Sequence, residues 1–194
     1  KKKTKYSFAG RLDPMARGKM IILEGDECKK QDSYCNYNKI YEFQILFGFS
    51  TDTYDILGLL ENYNIINSLP NIKLDNYLGK KTQAYPPYSS IIVNKQPLWW
   101  WSREGRLNEI TIPSKEVEIR KLEFLEDIFI ENNLVLLQQI ENKIGMLDSN
   151  RHIDFRVDGI LKKWREVLLP NNGIPIIKKY RAYVTSGTYI RSLV

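Results

Sequence analysis

The chain has 194 residues, 43% of them hydrophobic, with 12 Tyr, 7 Phe and 4 Trp. This is enough apolar material for one sizeable core, so the composition excludes a chain that is disordered throughout and favours a single domain. Lys and Arg outnumber Asp and Glu by 29 to 23, a formal net charge of +6 that favours a polyanionic partner but is also common among ordinary enzymes.

The distribution of apolar residues, cysteines and histidines bears on compartment and metal binding. No apolar run approaches the roughly 20 residues of a membrane span. Cys28 and Cys35 fit neither a zinc knuckle nor a redox CxxC motif, which predicts free thiols. His152 is the only histidine, so a metal site would have to be almost entirely carboxylate. We therefore expect a soluble protein of the cytoplasm or another reducing intracellular compartment, with no membrane partner and no metal.

Alternating apolar side chains predict the first clear strand. Tyr41, Phe43, Ile45 and Phe47 recur at period two, which predicts a strand over residues 39–47 with Tyr41 on its buried face. The following residues 48–58 are dense in residues that favour turns. A helix is predicted to begin within residues 55–63.

The second half of the chain contains two more predicted strands and two helices. Alternation predicts strands over residues 116–125, with a slip near Lys121, and over residues 179–184. Helical spacing before Pro170 predicts a helix that contains Val157, Ile160, Leu161, Trp164, Val167 and Leu168. Thr188 is predicted to cap a last helix whose first turn contains Tyr189, Ile190 and Arg191. The hairpin-like connections favour a mixed α+β domain on a mainly antiparallel sheet.

Residues 10–18 (GRLDPMARG) place a carboxylate, Asp13, between an apolar residue and a proline, with glycine on either side. Pro14 favours extended backbone at Asp13, and the glycines allow backbone and substrate to approach closely. In isolation such a loop is most often only a structural turn, so its interpretation depends on the rest of the chain.

This loop resembles the catalytic loop of the TruB family of pseudouridine synthases, GxLDPxAxG. Further blocks resemble that family in the same order along the chain: the Lys39 and Tyr41 strand; Gly48, Thr51, Asp52, Thr53, Asp55 and Gly58; Gln83, Pro86, Pro87, Tyr88 and Ser89; and Gly187 to Arg191, GTYIR. The resemblance implies an α+β fold with a mainly antiparallel sheet core of the pseudouridine synthase type and flanking helices.

The resemblance also implies a chemistry, the isomerisation of uridine to pseudouridine. The bond from C1′ to N1 breaks, the uracil rotates and rejoins through C5, and no cofactor is implied. Asp13 would start the reaction, either as a nucleophile at the sugar or as a base at C2′. Arg191 would keep Asp13 ionised. Tyr41 would stack on the uracil and assist the closing proton transfer, and Tyr189 would contact the substrate.

The implied partner is RNA, with the T-loop uridine of tRNA as the leading substrate. Two alternatives stay open: a synthase acting on ribosomal or other RNA, and a non-catalytic RNA-binding protein that kept the fold. Phe8 stands where the family usually has a histidine that helps to extrude the target nucleotide, and its ring can still stack against bases. Phe8 is therefore a candidate substrate-binding residue together with Tyr41 and Tyr189.

The resemblance finally implies a domain organisation. We expect residues 1–194 to form a single catalytic core without the family's opening strand and C-terminal RNA-binding tail. Residues 127–178 exceed what a compact bacterial member has at this place and are interpreted as an inserted lobe of unknown role.

For the run Trp99, Trp100, Trp101, core packing is favoured over base stacking.

Overall fold

The computed structural model describes residues 3–64, 66, 68, 72–146, 155–171 and 173–193. His152 and the other residues of 147–154, together with residue 172, belong to the predicted inserted lobe and lie outside the described residues. The strands and helices are β1 (Tyr6–Ala9), β2 (Ile21–Glu24), α1 (Gln31–Cys35), β3 (Lys39–Leu46), β4 (Phe49–Thr51), β5 (Leu60–Tyr63), β6 (Gly79–Ala84), β7 (Ile92–Val93), β8 (Gln96–Pro97), α2 (Leu98–Arg103), β9 (Ser114–Ile128), α3 (Asn133–Gly145), α4 (Val157–Leu168) and β10 (Ile177–Val184).

The centre of the fold is a four-stranded sheet of order β3-β10-β9-β6, in which all neighbours are antiparallel. Three antiparallel pairs stand beside it, β1-β2, β4-β5 and β7-β8. Together with the flanking helices they confirm the predicted α+β class with a mainly antiparallel sheet. The β9-β10 register shifts between Tyr183 and Val184, opposite Lys121 and Ile119, so the predicted slip near Lys121 is confirmed as a bulge.

One face of the sheet packs on a small core. Ile119, Ala182 and Val184 are buried there, with Tyr41 and Phe43 of β3 packed against them. The period-two pattern of residues 39–47 thus has the physical cause that the sequence predicts, a strand with one buried face. This packing fixes the direction in which Tyr41 projects from the sheet.

A larger core lies between helices α3 and α4 and the start of β10. Ile140, Ile144, Ile160 and Trp164 are almost completely buried in it, and Leu57 from the β4-β5 connection belongs to the same cluster. The helix predicted before Pro170 is therefore confirmed as α4. The helices of residues 127–178 share a core with the rest of the fold, while their status as an insertion stays a prediction.

Two predicted helices are wrong. Residues 55–63 form a turn and strand β5, because Asp52 binds both backbone groups of Leu59 and β5 pairs with β4. Asp52 Oδ1 accepts from Leu59 N at 2.8 Å, and Asp52 N donates to the Leu59 carbonyl at 3.1 Å. Thr188 caps no α-helix, since its hydroxyl donates to the Thr185 carbonyl at 2.9 Å. Within the described residues, up to residue 193, it is followed by a 3-10 turn, Ile190–Ser192.

Candidate active site

Every motif block of the sequence contributes to one region of the fold. The loop between β1 and β2 carries Asp13, and β3 carries Tyr41. The β4-β5 connection supplies Thr53 and Asp55, the segment after β6 supplies Tyr88, and the 3-10 turn after β10 carries Arg191. These residues are separated by up to 178 positions along the chain, so only the folded sheet brings them together.

Arg191 and Asp13 form the ion pair at the centre of this region. The guanidinium Nε lies 2.7 Å from Asp13 Oδ2, and Nη2 lies 3.4 Å from Asp13 Oδ1. The Arg191 side chain is 13% exposed and that of Asp13 is 44% exposed. The cation is thus enclosed by protein, while the carboxylate that it binds stays open towards solvent. The pairing that the resemblance implies is present in the structure.

Two backbone carbonyls hold the other edge of the guanidinium. Arg191 Nη1 donates to the Thr53 carbonyl at 2.7 Å, and Nη2 donates to the Tyr88 carbonyl at 3.3 Å. A planar guanidinium can make such divergent contacts because its donors form a rigid fork. These hydrogen bonds fix the plane of the Arg191 guanidinium and therefore the direction in which its Nε points to Asp13.

A second carboxylate, Asp55, approaches the same guanidinium. Its Oδ2 lies 3.8 Å from Arg191 Nε, and its Oδ1 accepts from the Thr53 hydroxyl at 2.8 Å. Burial raises the pKa of Asp55, and the negative charge of Asp13 adds to this, while Thr53, Arg191 and the amide of Leu57 oppose it. Asp55 stands in a motif block of the sequence, but its place there predicts no role for it.

Two tyrosines are influenced by the charge of the Asp13 carboxylate. Tyr41 and Tyr189 are both half-buried, and for each of them burial, followed by the negative charge of Asp13, raises the pKa of the phenol. Tyr189 is held by its backbone: its amide donates to Gln83 Oε1 and its carbonyl accepts from Gln83 Nε2, both at 2.9 Å. Tyr85 packs edge-on against its ring, with 5.7 Å between the centroids.

The lysine of the Lys-x-Tyr block is a structural anchor. Lys39 Nζ donates to the carbonyls of Cys35 and Tyr37, both at 2.8 Å, and Ser186 Oγ donates to the same Cys35 carbonyl at 2.7 Å. Burial lowers the pKa of Lys39, with the charge of Lys115 contributing. Lys39 therefore ties β3 to the end of α1, and Ser186 ties the same Cys35 carbonyl to the turn that precedes Arg191.

The remaining candidates lie towards the surface. Phe8 is on β1 with its side chain exposed, and the Arg11 guanidinium carbon lies 5.8 Å from its ring centroid. In the tryptophan run, Trp101 is buried and donates to the Val93 carbonyl at 3.0 Å, so core packing is confirmed for this residue. Trp99, by contrast, is exposed.

One ion pair beside this region leaves no signal in the sequence. Arg156, at the N-terminal end of α4, places Nη1 2.6 Å from Asp52 Oδ2, and its guanidinium carbon lies 4.8 Å from the Tyr88 ring centroid. The two charged residues are 104 positions apart, and neither residue type is unusual in its local sequence. Only a tertiary structure identifies such a contact.

No described helix combines the length and the apolar character needed to cross a membrane. Cys28 and Cys35 are free thiols, as predicted.

The chain is similar in sequence to proteins that are named tRNA pseudouridine synthases. The chain is 29% identical over 161 residues to tRNA pseudouridine synthase B of Streptococcus mutans, a match that covers 80% of the chain and 49% of the relative. It is 32% identical over 136 residues to tRNA pseudouridine synthase B of Clostridioides difficile, covering 68% and 44%. It is 31% identical over 226 residues to tRNA pseudouridine synthase 4 of Saccharomyces cerevisiae, covering 99% and 56%.

The chain thus spans about half the length of these curated relatives. A family model described as the N-terminal domain of TruB family pseudouridylate synthase matches residues 1–139, which include Asp13, Tyr41 and the β4-β5 connection. With most of its length matched by that model, the chain belongs to the TruB family of pseudouridylate synthases.

Proposed function

We propose that this protein is an RNA pseudouridine synthase, an isomerase that converts a uridine in the T-loop of tRNA to pseudouridine with Asp13 as its catalytic carboxylate. The observation that carries the proposal is the geometry of the ion pair: an enclosed Arg191 lies 2.7 Å from a carboxylate whose side chain is 44% exposed. Family membership and the names of the relatives, which are tRNA pseudouridine synthases, support the same activity.

Asp13 must be ionised to act, whether as a nucleophile at C1′ or as a base at C2′. A flipped nucleoside that covers Asp13 would remove water from the carboxylate and favour its neutral form. The Arg191 guanidinium opposes this effect because it stays bonded to Asp13 from the protein side. Substrate can therefore close over the carboxylate without removing its charge.

Tyr41 and Tyr189 would act on the uracil as neutral phenols. Because burial and the charge of Asp13 raise the pKa of both groups, both stay protonated near neutral pH. A neutral Tyr41 can stack on the base and donate a hydrogen bond. It can receive the proton from C5 at the closing step only if it passes its own proton on in the same step.

The proposed RNA partner is consistent with the surface chemistry of the chain. The net charge of +6 favours a polyanion, and Phe8 offers an exposed aromatic ring with Arg11 beside it. An aromatic ring next to a guanidinium can stack on an unpaired base while the cation contacts phosphate. We propose that Phe8 contributes in this way to opening the loop that holds the target uridine.

The test is an incubation of the full-length protein with a T-arm hairpin, its uridine-to-cytidine variant at the target position, and a ribosomal RNA hairpin, all in the presence of a chelator. Pseudouridine is then detected by a chemical probe. We expect modification of the T-arm hairpin alone, because the relatives are named tRNA pseudouridine synthases and the cytidine variant lacks the target uridine.

The other outcomes separate the alternatives. Modification of only the ribosomal hairpin would overturn the tRNA assignment and keep the enzyme class. Modification of none, with the hairpins still bound, would support a non-catalytic RNA-binding protein that kept the fold. Loss of activity with chelator that an added divalent cation restores would contradict the proposed metal-independent chemistry.

A further inference from the structure

Two loops hold the orientation of Arg191 through their backbone carbonyls. The Thr53 carbonyl, in the β4-β5 connection, accepts from Nη1 at 2.7 Å, and the Tyr88 carbonyl accepts from Nη2 at 3.3 Å. A shift of either loop would turn the guanidinium away from Asp13. The residues that hold these loops in place therefore bear on the chemistry.

One residue outside both loops touches both of them. Arg156 pairs with Asp52, the residue before Thr53, at 2.6 Å, and its guanidinium carbon lies 4.8 Å from the centroid of the Tyr88 ring. The Arg156 and Asp52 side chains are 23% and 17% exposed, so water screens the pair only in part. Asp52 in turn accepts from the Leu59 amide at 2.8 Å, which closes the connection onto β5.

The backbone of the β4-β5 connection is strained at one residue, which makes the contacts that hold this connection important. Tyr54 has a φ of +62°, in the left-handed region that a bulky residue rarely adopts. A conformation of this kind persists only when the surrounding contacts determine it. Along the chain, Thr53 lies between Asp52, which pairs with Arg156, and Tyr54. The carbonyl that binds Arg191 therefore belongs to the residue next to this ion pair.

We propose that Arg156 is a positioning residue: through Asp52 and the Tyr88 ring it holds the two carbonyls that aim Arg191 at Asp13. Helix α4 thereby supports the active site from residues that the family model does not match, since that model ends at residue 139. The catalytic part of this inference rests on the proposed function, whereas the geometric part concerns Arg191 alone.

The first experiment compares Arg156→Ala and Arg156→Lys with a matched control in the same helix, Arg165→Ala, which removes an exposed pair with Glu141. Arg156 borders a cavity of about 430 Å³ together with Asp52 and Tyr88, so truncation leaves space that water can fill and the variant should fold. Single-turnover rates are measured on the T-arm hairpin at saturating protein.

We expect Arg156→Ala to lower the rate by about tenfold with less than about a twofold change in RNA affinity by filter binding, because misplacement of a catalytic group acts on the chemical step more than on binding. Arg156→Lys keeps the charge opposite Asp52 and should recover part of the rate. Arg165→Ala should match the wild type. Equal losses in Arg156→Ala and Arg165→Ala would overturn the proposal, as would a rate loss that disappears after correction for the folded fraction.

A double variant tests whether Arg156 acts through Arg191. If it does, Arg156→Ala added to Arg191→Lys should lower the rate by much less than it does in the wild type. Independent effects that multiply would contradict the proposal. Should Arg156→Ala fail to fold, Asp52→Asn provides the same test, since the amide oxygen keeps the bond from Leu59 while the charge that pairs with Arg156 is lost.

A final measurement does not depend on activity. The Nε–H proton of Arg191, bonded to Asp13 in the wild type, is followed by 15N NMR through its exchange with water. Faster exchange in Arg156→Ala than in Arg165→Ala supports the positioning role, even for a protein that modifies none of the hairpins. Unchanged exchange overturns that role, whatever the hairpins show.

Discussion

The exchange of Arg191 for lysine tests the ion pair most directly. The guanidinium binds Asp13 at 2.7 Å and the Thr53 carbonyl at 2.7 Å from two different nitrogens. A lysine ammonium is a single compact group and loses at least one of these charge-assisted hydrogen bonds, each of which is worth about 1.5–3 kcal/mol. If the loss is expressed in the transition state, kcat falls roughly tenfold to hundredfold. Arg191→Ala should do at least as much harm, because Asp13 and Asp55 then both lose their cation.

The assay is single-turnover formation of pseudouridine in the T-arm hairpin, with RNA affinity measured separately by filter binding. Arg181→Lys in β10 is the matched control, because Arg181 also binds a carboxylate through two nitrogens, Nε and Nη2 to Glu42 Oε1, but at an exposed position of the sheet. The control should keep the wild-type rate. Arg191→Lys with more than about half of the wild-type kcat would refute the reasoning from the forked geometry.

Three further predictions concern other residues of the site. Asp13→Asn should abolish pseudouridine formation and leave RNA affinity nearly unchanged in filter binding; appreciable turnover from a clean preparation would refute the assignment. Burial raises the pKa of Asp55 in the folded protein above its ordinary value of 3.8. The folded protein therefore has its full stability below about pH 3.8, where Asp55 is neutral, and loses part of it as pH rises through the pKa of Asp55 in the folded state. The free energy of unfolding of Asp55→Asn relative to wild type, from urea unfolding, should therefore increase between about pH 4 and pH 7. A decrease would show that the pKa of Asp55 is lowered in the folded protein, not raised. Gly58→Ala would bring a Cβ to 2.7 Å from Asp52 Oδ1, so it should lower the free energy of unfolding by about 1–3 kcal/mol. The control Gly159→Ala, in an exposed turn of α4 with its nearest neighbour at 3.6 Å, should raise the same free energy by up to about 1 kcal/mol.

Local periodicity predicted the elements whose one face is buried. Residues 39–47, 116–125 and 179–184 became strands of the central sheet, and the apolar spacing around Trp164 became α4. Such patterns can be recognised without a structure because burial of one face imposes a period of 2 on a strand and 3.6 on a helix. The same reasoning failed for residues 55–63, where the Leu59 amide binds the Asp52 side chain instead of the carbonyl one helical turn earlier.

The sequence by itself determined the family, and with it the candidates Asp13, Tyr41 and Arg191, because their residue types stand in motif blocks that keep a fixed local spacing. Only the tertiary structure decided how Arg191 is held. Its partners Thr53 and Tyr88 contribute backbone carbonyls, which every residue type possesses, and Arg156 reaches Asp52 across 104 positions. Contacts made by the main chain, or by charged side chains far apart in sequence, leave no local pattern, because only the folded chain brings them together.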